Sequence, residues 1–186
     1  MNTSIRSGFG LAILAAALGI NAQADNTPPG FVDFGKFSAP SSGAECVEVN
    51  ISGNLISIAA RLTEKSEPEI SDLLHGLRSV RVNVIGLTDE NRADMEKRVK
   101  TIRSELDTKG WQHVVAVQNQ GEDVGVYLKT RGDEAVEGLV VTVIEGNHEA
   151  VFVNIVGDIK PEKLATLGEK LNIEPLKKAA QALEKK

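Results

Sequence analysis

The sequence predicts an α+β domain: an antiparallel or mixed sheet of about six strands with helices packed on it. Three observations carry this. Several stretches alternate apolar and polar residues with a period of two. Others carry apolar residues at i, i+3, i+4 and i+7, the spacing of one helix face. The last strand-like stretches follow one another directly, separated only by short turn signals, which marks a meander and not crossover units. The order reads β-α-α-β-α-β-β-β-β-α-α.

The first strand is predicted over residues 45–51, with Val47, Val49 and Ile51 facing one way and Glu48 and Asn50 the other. A helix follows from about Asn54, its apolar stripe being Leu55, Ile58, Ala59 and Leu62. Ser66-x-x-Glu69 has the capping-box pattern, in which two side chains satisfy free N–H groups at a helix start. The stripe expected after it is Ile70, Leu73, Leu74 and Leu77. Strand two, residues 80–87, alternates Val80, Val82 and Val84 against Arg81 and Asn83. Thr88-Asp89-Glu90 places acidic groups at the positive end of the longest helix. Met95, Val99, Ile102 and Leu106 form its buried stripe, Gly110 ends it, and Lys97, Arg98, Lys100 and Arg103 are assigned to its solvated side.

The meander is expected over residues 111–118, 123–130, 135–145 and 148–157. Its breaks are Asn119-Gln120-Gly121, Arg131-Gly132-Asp133 and Gly146-Asn147, the last a hairpin signal that favours positive φ. Pro161 suits the first turn of a helix with stripe Leu164, Leu167 and Leu171. Pro175 likewise opens a final helix with Leu176, Ala179, Ala180 and Leu183. A lone helix this short is marginal in water, so its stripe needs a surface; Val140, Ile144, Phe152 and Val156 are the candidate.

The chain divides into a signal peptide over residues 1–24, a linker or packed arm over 25–44, and a single α+β domain over 45–186. Arg6, the apolar run of residues 9–20 and Ala22-Gln23-Ala24 have the three-part pattern of a secretory signal. The run is shorter than the about 20 residues of a membrane span, and no other stretch is long enough. Cleavage near Ala24 and a periplasmic or secreted location are therefore expected. Turn chemistry at Thr27-Pro28-Pro29-Gly30 and Ala39-Pro40-Ser41-Ser42-Gly43 brackets Phe31, Phe34 and Phe37, which favour an arm packed on the domain.

Losing Arg6 takes the 21 basic residues to 20 against 26 acidic ones, a net charge of −6. Nucleic acid and anionic membranes, both polyanions, are disfavoured partners. Cys46 is the single cysteine, so no intrachain disulfide forms and the core must supply the stability. A domain of about 150 residues buries about 68–70% of its unfolded surface, enough without covalent staples.

No pattern singles out catalytic, cofactor-binding or metal residues, and no cofactor is expected. His75, His113 and His148 have no ligand partner at metal-site spacing. Phosphate loops, calcium loops and H-E-x-x-H are absent. Asp89-Glu90, Glu122-Asp123, Asp133-Glu134 and Asp158 read as caps and turns. Arg131-Gly132-Asp133 matches an adhesion tripeptide but lies where a turn is expected, and Cys46 reads as a passive thiol.

Two strands are apolar on both sides. Leu139, Val141 and Val143 oppose Val140 and Ile144; Val151, Val153 and Ile155 oppose Phe152 and Val156. Such strands are covered on both faces, by helices or by a second chain. The reading is an exported, non-catalytic envelope module that binds another protein or itself as a homodimer. The alternative is an enzyme or small-ligand binder with a composite pocket of converging carboxylates and His113.

From Glu45 onward the chain resembles a bacterial family, domain of unknown function four-two-five-two. The resemblance rests on Asn54-Leu55-Ile56-Ser57, Val82-Asn83-Val84-Ile85-Gly86 and Gly125-Val126-Tyr127-Leu128-Lys129. Its most specific part is Val153-Asn154-Ile155-Val156-Gly157-Asp158-Ile159 with Pro161-Glu162-Lys163-Leu164. It implies an envelope protein and carries over no activity and no site residues. Many such proteins resemble lipoproteins; here Asp25, and not a Cys, stands directly after the cleavage site, so no lipid anchor is expected.

Overall fold

The computed structural model describes residues 27–38, 43–119, 121–164, 166 and 168. The elements are β1 (Cys46–Ser52), α1 (Gly53–Thr63), α2 (Pro68–His75), β2 (Leu77–Gly86) and α3 (Arg92–Thr108). Then come β3 (Gln112–Gln118), β4 (Glu122–Arg131), β5 (Ala135–Glu145), β6 (Glu149–Ile159) and a 3₁₀ turn, Pro161–Lys163. The strands form one six-stranded sheet in the order β1-β2-β6-β5-β4-β3, antiparallel at every pairing. This is the predicted α+β class, with the sheet antiparallel and not mixed. Residues 164, 166 and 168 are helical; the expected final helix and the signal peptide lie outside the described residues.

One face of the sheet is covered by α3 and by the arm of residues 27–38. Val99, Ile102 and Leu106 of α3 meet Tyr127, Val140, Ile144, Ala150 and Phe152 of the strands, with Val32 and Phe34 from the arm. The arm is gripped as well as packed. Asn154, 0% exposed, accepts from the Val32 N–H at 3.0 Å and donates to the Gly30 carbonyl at 2.9 Å. A side-chain amide used this way satisfies both backbone groups of an extended segment inside a dry interface. A Cβ at Gly30 would overlap the Glu137 carbonyl, so a larger residue would lift the arm there.

Four expectations are corrected. The patch Val140, Ile144, Phe152 and Val156 is not open to a last helix: Val140, Ile144 and Phe152 pack with α3 and the arm, and all four residues are 5% exposed or less. The capping box does not form: α2 begins at Pro68, and Glu67, with φ −142° and ψ 72°, is its N-cap. Proline disfavours helical geometry in the residue before it and suits the first helical position itself, so it sets the boundary one residue beyond Ser66. Leu77 belongs to β2, not to α2. Finally, Arg98 and Arg103 are not on a solvated face of α3. Arg98 donates to the Phe34 and Lys36 carbonyls at 3.1 and 2.9 Å and lies over the Phe37 ring. Arg103 pairs with Asp123 at 2.7 Å and donates to Thr142 Oγ1. Long cationic stems can lie along apolar surface while their heads find acceptors, which a charge pattern alone does not reveal.

Candidate interaction surface

The opposite face is built from valine. The strand registers align Val47, Val84, Val151, Val143, Val124 and Val117 into one row across all six strands. A second row, two residues along, is Val49, Val82, Val153, Val141, Val126 and Val115. Branched side chains suit a pleated surface, and directly opposed residues share a face, so each row is a continuous apolar ridge. Beyond the first row, Glu149, Glu145 and Glu122 oppose one another on adjacent strands β6, β5 and β4. They lie two residues from Val151, Val143 and Val124 and therefore share the valine face. Like charges placed this way repel, and no cation among the described residues pairs with them.

Cover on this face is uneven. Val126, Val141 and Val153 are at most 3% exposed, whereas Val47 and Val49 on the edge strand are 36% and 38% exposed. Next to β1 in sequence, α1 turns Ile56 and Ala60 inward. The predicted stripe is thus rotated: Leu55, Ile58 and Leu62 face solvent at 56%, 50% and 77% exposure. Ile56 and Ala60 make an i, i+4 pair of their own, so α1 has two apolar sides and periodicity alone could not rank them. Among the described residues, the five exposed large apolar side chains all fall between Val47 and Leu62.

The polar residues singled out in the sequence do not converge. His113 is exposed at the β3 edge and stacks on Tyr127, ring centroids 4.3 Å apart. Burial, with Asp107 and Asp123 adding, pushes the Tyr127 phenol above its ordinary value, against a lowering by Arg103. His75 borders a small cleft of about 310 Å³ with Asp72, Asp158, Lys160 and Lys163. His148 sits at the β5–β6 turn. Asp123 is held by Arg103, and Asp158 by Arg131 at 2.9 Å. Arg131 also pairs with Glu137 at 3.5 Å, and Gly132 takes φ +57°, so the tripeptide is a hairpin turn with its arginine engaged. Asp89 and Glu90 are exposed before α3. Cys46 is a half-buried free thiol beside the α3-side core. A cleft of about 570 Å³ lies open between the arm and α3 and mixes Asp33, Asp94 and Glu105 with Lys36, Lys97 and Arg98. Among the described residues no group of three or more His, Cys, Asp or Glu side chains could hold a metal ion. None of their helices is long and apolar enough to cross a membrane.

Residues 42–167 match the family described as Domain of unknown function (DUF4252), which spans more than half of the chain. The chain belongs to this family. The matched region starts just before β1 and ends within the helical residues after the 3₁₀ turn, so it takes in the whole sheet with its valine face. The arm that closes the other face precedes it. No curated protein and no solved structure matches the chain.

Proposed function

We propose that this member of the family is an exported, non-catalytic envelope module that binds another protein or a second copy of itself through β1 and α1. One observation carries the reading: the exposed large apolar side chains of the described residues are confined to one stretch, Val47 to Leu62. Single exposed apolar residues are ordinary, but five confined to an edge strand and the helix that follows it are the kind of surface that partners cover. Leu55, Ile58 and Leu62 at i, i+3 and i+7 present the anchors that a groove or another helix reads. Export rests on Arg6, the apolar run and Ala22-Gln23-Ala24.

The test compares the native chain with a Leu55→Ser, Ile58→Ser, Leu62→Ser variant, each purified from its own envelope and sized by sedimentation. The native chain is expected to carry a stoichiometric partner or to dimerise, and the variant to lose that species. Its melting temperature should stay close to native, because exposed substitutions change stability by about 0.5 kcal/mol or less each. An intact mass beginning at Asp25 is expected from the same material. A native monomer with no species that the variant lacks, or a retained residue 1–24 segment, would overturn the reading.

A further inference from the structure

Among the described residues the sheet ends in two edge strands, β1 and β3, and the two edges differ. At β3 the ladder slips between His113 and Val115, an irregularity of the kind that spoils an edge for further pairing. β1 pairs with β2 over all seven of its residues without a slip, and it holds no proline and no lysine. Its hydrogen-bond phase follows from one contact. The Gly86 N–H donates to the Glu45 carbonyl at 2.7 Å, one step before the Cys46–Ile85 pair. Hydrogen-bonded residues alternate along an antiparallel ladder, so Val47, Val49 and Ile51 bond to β2. Cys46, Glu48, Asn50 and Ser52 therefore turn their N–H and C=O groups to the open edge.

We infer that this edge is taken by β1 of a second copy, paired antiparallel about a two-fold axis at Val49. The inference rests on the reading that β1 and α1 form the binding surface, and it names the partner. A register centred on Val49 pairs all seven residues of the strand. It sets Val49 against Val49, Val47 against Ile51, and Glu48 against Asn50, with Arg81 next to Asn50 in the same row. Centring on Glu48 would set two carboxylates opposite each other, which is destabilising, and would shorten the ladder. Centring on Asn50 shortens it equally. A centre between two residues would set outward-turned groups against inward-turned ones. The Val49 register is thus the one in which the strand complements itself, as a two-fold interface requires. An axis normal to the sheet keeps both valine faces on one side, so the ridges of Val47 and Val49 run on into the partner. Ile56 places α1 on that same face, so the exposed Leu55, Ile58 and Leu62 stand on the apolar side of the joint.

Cysteine pairing in the full chain tests the register. The variant Cys46→Ser, Val49→Cys is expected to form a disulfide-linked dimer with oxidised glutathione. Non-hydrogen-bonded partners have Cα atoms about 4.5 Å apart, within disulfide reach. Ser52→Cys should link to the native Cys46 of the other copy, its direct opposite. The native chain should stay unlinked, because its two Cys46 residues lie about 20 Å apart along the joint. Asn50→Pro removes an outward N–H and no bond to β2. It should keep the native circular dichroism spectrum and raise the dimer dissociation constant about ten-fold or more in sedimentation. A monomeric native chain, or a dimer whose Val49→Cys variant does not link, overturns the inference. The binding reading survives either result if the Leu55→Ser, Ile58→Ser, Leu62→Ser variant still loses a partner species, so the two can fail separately.

Discussion

On the face that carries α3, large and small side chains alternate, and buried polar groups decide what lies on top. Phe152 sits between Ala150 and Asn154 on β6; Asn154 takes the arm, and Thr142 takes Arg103. On the opposite face the same strands offer row after row of valine, and the first charge met is the carboxylate row at the far end. The difference separates two kinds of cover. A face with buried acceptors and donors accepts only a segment that satisfies them, since each unsatisfied group costs about 1–3 kcal/mol. A ladder of valines selects by area and shape, and leaves selection by charge to its rim.

The contrast is broken most easily at neighbouring residues of β6. Phe152, 0% exposed, touches both Phe34 and Phe37 of the arm, with ring centroids 5.7 and 4.9 Å away. Phe152→Ala is expected to cost about 3–5 kcal/mol in denaturant unfolding, the range for deleting a buried aromatic ring. Val151 points to the other face and is half-buried. Val151→Ala should cost less than about 1 kcal/mol, because the lost methyl groups are partly wet already. Equal losses in the two variants would mean that the faces are closed to the same degree.

Much of this architecture is legible in the residues and some is not. The β-branched apolar run in 135–145 and the Gly146-Asn147 turn place β5 where the structure has it, because a short apolar run bounded by turn signals and a turn that needs positive φ are local properties. The stripe Val99, Ile102 and Leu106 is equally local. The α1 orientation is not, since two apolar sides compete and only the tertiary fit decides. The α2 start illustrates one local rule overriding another, with Pro68 outweighing Ser66. For the candidate surface, the valines are visible one strand at a time, but their alignment into rows depends on five registers that no single strand encodes. Asn154 gives one faint signal: a lone amide within Val151-Phe152-Val153-Asn154-Ile155-Val156, on the same side as Phe152.

That amide sharpens the comparison next. Asn154→Ala leaves the Val32 N–H and the Gly30 carbonyl without partners inside the interface. If the arm stayed down, two orphaned groups would cost about 1–3 kcal/mol each. Lifting the arm returns both to water, so the loss is capped by the free energy of arm docking, and about 2 kcal/mol is the expected total. The distinguishing readout is tryptic cleavage after Lys36, which should accelerate in Asn154→Ala and stay unchanged in Val151→Ala. Unchanged cleavage in Asn154→Ala would show that apolar packing, and not the amide, holds the arm.

The smallest effect concerns Tyr127, whose ring is 2% exposed on the α3 side of the sheet. Burial, then Asp107 and Asp123, disfavour the phenolate and outweigh Arg103, so the phenol titrates above its ordinary value in the folded chain. In the unfolded chain it ionises near pH 10. Below that pH the group is neutral in both states and stability does not depend on it. As pH rises past about 10, the unfolded state releases the proton first and gains free energy that the folded state does not, so stability falls until the folded phenol also ionises. Tyr127→Phe removes this term. The native chain should therefore lose stability more steeply than Tyr127→Phe above about pH 10, while the two curves run parallel from neutral pH to that point. Lysine deprotonation is common to both proteins and cancels in the difference. Curves that stay parallel through the alkaline range would mean that water reaches the phenol, and that the α3 face is less completely closed at β4 than at β6.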